Sequence, residues 1–74
     1  MSTLLDYRDS IEKAVRIGIA RPTADEQLTI ETALHERVNW RCSDCAIRAY
    51  KKANNLLQRQ IEELAKKVKK KMKE

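Results

Sequence analysis

The chain has no phenylalanine, and its aromatic residues are one tryptophan and two tyrosines. A core without large rings has to be built from leucine, isoleucine, valine and alanine. That composition suits packed helices and argues against a β fold, whose strands favour aromatic residues. Glycine and proline occur once each, at Gly18 and Pro22. With so few residues that turn a chain cheaply, few elements are expected. No apolar run approaches the length of a bilayer span, and no basic-then-apolar leader opens the sequence. The expected address is therefore the cytoplasm, of its own cell or of a host. In that setting Cys42 and Cys45 are expected as thiols or metal ligands, not as a structural disulfide. A Gly-rich phosphate loop, a paired-carboxylate arrangement and a serine or second histidine converging on His35 are all missing. The expectation is a protein that is not an enzyme.

The longest uninterrupted pattern runs from Ser43 to Lys73. Ser43 is a good N-cap, Asp44 puts negative charge in the first turn, and no Gly or Pro follows. Ala46, Tyr50, Ala53, Leu57, Ile61, Leu64, Val68 and Met72 recur at spacings of three and four and form one apolar stripe. The spacing predicts a long amphipathic helix over about residues 44–72. One helix cannot bury such a stripe alone, so the front half of the chain or a second copy must cover it.

The front half is expected to supply two shorter helices. Ser2 or Thr3 caps the first, over about residues 3–17, with Leu4, Tyr7, Ile11, Ala14, Val15 and Gly18 on one face. Gly18 and Pro22 break it. Thr23 and Glu26 then have capping-box spacing and start the second, over about residues 24–39. Leu28, Ile30, Leu34 and Val38 are expected to form its apolar side. The second break falls between Asn39 and Cys42. The expected fold is all-α: a single domain, residues 1–74, in which two shorter helices precede a long one as a helical hairpin or small bundle. The long helix offers more stripe than two short helices cover. Self-association, first as a dimer, is expected along a coiled-coil-like seam of Tyr50, Leu57, Ile61, Leu64 and Val68.

The charge is uneven. Residues 1–42 hold six Lys/Arg against seven Asp/Glu, and residues 43–74 hold ten against four, for a net +5 overall. The basic half is expected either to face something anionic or to be a solvated helix face. Four chemistries compete for the notable residues. Cys42 and Cys45, with His35 upstream and Glu31 as a fourth donor, have the residue types of a zinc site; alternatively, two chains could each contribute a Cys pair. The same pair reads as a redox dithiol, with Cys42 just before a helix start. Two packed thiols at a helix junction are the plain alternative. Residues 43–52 look locally like the start of a recognition helix in helix-turn-helix proteins, which implies contacts by Arg48, Lys51 and Lys52. The likeness covers about ten residues. Upstream, Arg37 stands where such motifs place a small side chain. Lys66 and Lys70 would add salt-sensitive phosphate contacts. The basic amphipathic stretch 56–73 also suits a membrane surface, although it has no Trp or Phe at its apolar edge.

The leading expectation is a small basic interaction protein that binds a macromolecular partner through the long helix and the junction around Trp40, and inhibits or modulates it. Proteins of this kind are common products of phages and mobile elements. The alternatives are a DNA- or RNA-binding regulator and an oligomer that captures a phosphate-bearing ligand between subunits. No cofactor is the leading expectation, with zinc as the alternative.

Overall fold

A computed structural model of the chain describes residues 2–72, with side chains to Lys67. It is all-helical: a short 3₁₀ turn at Leu4–Tyr7, then α1 (Arg8–Ile17), α2 (Ala24–Leu34) and α3 (Ser43–Met72). No strand occurs among the described residues. The architecture is the expected one, two shorter helices laid against a long third in a small bundle.

Local chemistry sets the boundaries. Asp6 accepts from the Thr3 backbone N–H at 2.8 Å and so ties down the first turn. Gly18 closes α1 in the left-handed conformation, at φ 73°, and its N–H reaches the Ala14 carbonyl at 2.9 Å. Thr23 caps α2, its hydroxyl accepting from Glu26 N–H at 3.3 Å. The reciprocal half of the expected capping box is replaced by a different contact. Glu26 turns inward, is 3 % exposed, and lies beside the Tyr50 hydroxyl.

α2 ends at Leu34, well short of Asn39. His35 adopts the left-handed conformation at φ 56°, its N–H bonds the Thr32 carbonyl, and Glu36 N–H bonds the Glu31 carbonyl. This is the Schellman pattern with histidine in the place usually given to glycine. The Glu31 carboxylate then accepts from Val38 N–H at 3.1 Å and holds the returning loop. At the start of α3 the cap is Cys42 rather than Ser43. The Cys42 carbonyl takes the first helical bond from Ala46, at 2.9 Å, and its sulfur accepts from Cys45 N–H at 3.4 Å.

The core lies along the first half of α3. Ala46, Ala49, Tyr50, Ala53 and Leu57 are buried there, with Leu4, Ile11, Ala14 and Ile30 covering them. The alanines let the front helices approach the α3 backbone closely. α2 contributes a face different from the expected one. Glu26, Thr29 and Ile30 are buried, with Ala33 and Leu34 partly so, and Leu28 is 64 % exposed. Positions 26, 29, 30 and 33 share one helical face, and Leu28 projects from the other side. Thr29 can be buried because its hydroxyl donates to the Asp25 carbonyl at 2.8 Å. At the surface, Gln58 of α3 donates to Glu12 of α1 at 3.0 Å and Tyr7 donates to Asp25.

Candidate interaction surface

Arg48, Lys51 and Lys52 sit at i, i+3 and i+4 on the outward side of α3, and all three are exposed. Lys52 is tied to Glu36 by an ion pair at 3.0 Å. Arg48 stands between two shallow grooves. One runs towards Arg37 and Cys45 and is about 280 Å³. The other, about 340 Å³, is shared with Gly18, Asp44, Ile47 and Lys51. The second groove brings the C-terminal end of α1 to the N-terminal half of α3. Gly18 is flanked by Ile17 and Ile19, each 53 % exposed. Ile19 continues into a further groove with Trp40 and Ile47. Two half-exposed isoleucines thus flank Gly18, whose groove is shared with Arg48, Lys51 and Asp44. Ile17 falls on the polar side of α1 in the periodicity; the chain reversal brings its neighbour Gly18 into a groove shared with Arg48 and Lys51, which no local pattern encodes.

Trp40 is partly buried and meets Tyr50 edge-on, with ring centroids 6.1 Å apart and planes at 80°. Its indole N–H is buried without a hydrogen-bond partner among the described residues, as is one oxygen of Glu26. Burial, followed by the adjacent Glu26 charge, pushes the Tyr50 hydroxyl far above its ordinary range. Trp40 is therefore chiefly a packing residue of this end, with limited surface to offer.

The two cysteines are free thiols, each partly exposed. The Cys45 thiol and then its backbone N–H hydrogen-bond the Cys42 sulfur, which lowers the Cys42 pKa; the same contact raises that of Cys45. His35 is exposed at the end of α2, and Glu31 is committed to Val38. Among the described residues no three His, Cys, Asp or Glu side chains gather closely enough to hold a metal ion. The His35, Cys42, Cys45 and Glu31 set is not assembled within one chain, because the left-handed stop at His35 ends α2 before its pattern reaches the cysteines.

The seam residues divide. Tyr50 and Leu57 are spent on the chain's own core, Ile61 packs at its margin, and Leu64 is 49 % exposed. Lys66 is exposed far along α3 from Arg48. Val68 and Lys70 lie outside the residues whose side chains are described. A fourth groove, about 390 Å³, is lined by Leu5, Leu28 and Gln60, none of which lines the other three. The apolar side expected for α2 conceals it, since Leu28 reads there as core. No helix among the described residues is long and apolar enough to cross a membrane.

No protein-family model, curated protein or solved structure matches this chain.

Proposed function

We propose that the chain is a non-enzymatic interaction protein that self-associates and uses the Ile17–Ile19 and Arg48–Lys51 end to bind an acidic surface on a partner protein, which it inhibits or modulates. The observation that carries this reading is the mixture of chemistries at that end. Half-exposed isoleucines contribute where a partner buries them against apolar side chains, whereas a phosphate backbone offers them little. The cations of the groove that Gly18 shares steer an acidic partner into place and set the register of the contact. The grooves at this end are shallow and suit a protein surface better than an enclosed small ligand.

A DNA- or RNA-binding regulator is the second reading. It draws on Arg48, Lys51 and Lys52 lying on one face of α3.

Two variants separate the readings: Ile17→Asp with Ile19→Asp, and Arg48→Glu with Lys51→Glu. All four positions are exposed, so both variants should keep the circular dichroism of the parent. The native chain and each variant would be cross-linked in cells that express them, and the products identified with and without nuclease. The protein reading predicts one defined partner, insensitive to nuclease and lost with either variant. Binding lost only with the charge variant, and abolished by nuclease, would replace it with the nucleic-acid reading.

A further inference from the structure

The proposed function makes no use of Cys42 and Cys45, which lie outside the buried core. The Cys42 carbonyl takes the first helical bond of α3, so Cys42 holds the cap position and Cys45 follows in the first turn. Residues three apart along a helix share a face, with Cα atoms about 5 Å apart from its rise and radius. A disulfide accepts Cα separations of about 4.4–6.8 Å. The Cys42 sulfur already lies against Cys45, accepting from its N–H at 3.4 Å, and the Cys45 thiol donates to it as well. A bond between the two sulfurs therefore needs side-chain rotation and no movement of the helix. Both thiols are free and partly exposed. Cys45 also lines the groove of about 280 Å³ with Arg37 and Arg48, which leaves an approach open beside the pair.

We propose that Cys42 and Cys45 form a reactive dithiol: Cys42 attacks an external disulfide, and Cys45 then closes a reversible Cys42–Cys45 disulfide across the first turn of α3. The Cys42 thiol first loses its proton to water. Its thiolate bonds one sulfur of the external disulfide, and the other sulfur leaves as a thiolate that takes up a proton. Cys45 then gives up its proton and bonds the Cys42 sulfur, and the second external thiol leaves in the same way. Two protein thiols are oxidised and one external disulfide is reduced to two thiols.

The surroundings separate the two roles. The cap position puts the Cys42 sulfur where the Cys45 thiol, the Cys45 N–H and the Asp44 N–H all favour a thiolate, against the opposing charge of the Asp44 carboxylate. Cys45, which donates to Cys42, keeps its own proton more firmly, with Arg48 as the nearby cation that favours its thiolate. Among the described residues no third His, Cys, Asp or Glu gathers with the pair. The exchange is independent of the proposed function, since the chain alone carries both sulfurs and neither an acidic partner nor a second copy takes part.

Mass spectrometry of the reduced full chain, incubated with oxidised glutathione at neutral pH and quenched with acid, tests the proposal. The expected product is a single chain lighter by two hydrogens, with the Cys42–Cys45 bond found by peptide mapping. Excess reduced glutathione should reopen it. Cys45→Ser should stop at a glutathione adduct on Cys42. Cys42→Ser should react about threefold more slowly than Cys45→Ser, since a lowered pKa gives more thiolate but a weaker nucleophile. Serine keeps a capping oxygen at position 42, so far-UV circular dichroism should match the parent in both variants and in the oxidised chain. A parent that does not react, that stops at a stable glutathione adduct, or that forms disulfides between chains would overturn the proposal. So would equal or reversed rates for the two variants, or loss of helix when the bond closes.

Discussion

Leu57 and Leu64 lie seven residues apart on one stripe and should respond differently to truncation. Leu57 has no exposed surface, whereas Leu64 is 49 % exposed. Removing a fully buried leucine side chain to alanine costs about 2–5 kcal/mol, from lost transfer energy and the cavity left behind. At about 0.05–0.15 kcal/mol per residue, a chain of 74 residues has about 4–11 kcal/mol in all. Leu57→Ala therefore removes a large part of the stability. At about 4–8 °C per kcal/mol for a domain of this size, it should lower the Tm by about 10 °C or more. Leu64→Ala in the monomer forfeits only partial contacts along one helix, and about 1 kcal/mol or less is expected. Thermal melts followed at 222 nm, run dilute, give the monomer comparison. Run concentrated, they should show a further deficit for Leu64→Ala, since dimerisation stabilises by mass action. Equal losses for the two variants in dilute solution would refute the division of α3 into a core half and an uncovered half.

Three further predictions follow from named contacts. His35→Gly relieves a left-handed residue at the end of α2 and should stabilise the chain by about 0.5–1 kcal/mol in urea titration; a loss would show that the His35 side chain contributes more than its backbone. Iodoacetamide should label Cys42 before Cys45, as peptide mapping reads, and the Cys42 rate should persist to lower pH than that of a free thiol because its pKa is lowered. Tyr7 and Tyr50 both have raised pKa values, so the folded chain holds these protons where the unfolded chain releases them. Their contribution to stability is therefore full below the ordinary tyrosine value, and it is lost as pH rises through the folded-state values. Phenolate absorbance should rise together with the loss of helix; a separate, earlier rise accounting for both tyrosines would contradict the burial of Tyr50.

The parts of the fold legible in the sequence are those written as local periodicity. α3 could be read because it runs uninterrupted and its stripe is regular from Ala46 to Ile61. The end of α1 was legible because Gly18 is the residue a left-handed cap favours. The end of α2 was not, because His35 takes a conformation that its side chain does not advertise. The error at Leu28 has a related origin. α2 buries a face containing Glu26 and Thr29: Thr29 is satisfied by the Asp25 carbonyl, and Glu26 lies beside the Tyr50 hydroxyl with one oxygen left unpartnered among the described residues, an arrangement that arises only in the folded chain. The capping of α3 by Cys42 is not legible in the sequence, because sulfur is an uncommon cap and the Cys42–Cys45 spacing equally suits a ligand pair. The surface at Ile17, Ile19, Arg48 and Lys51 joins two elements far apart in sequence, so no single stretch displays it.

The central claim is that this chain acts by binding: to its own copy, and to an acidic protein through the Ile17–Ile19 and Arg48–Lys51 end. Native mass spectrometry of the chain, purified gently from cells that express it and treated with nuclease, tests this most directly. The account predicts an assembly containing two copies of the chain and the mass of a bound protein. A bare monomer at every concentration, or a complex that nuclease removes, would contradict it.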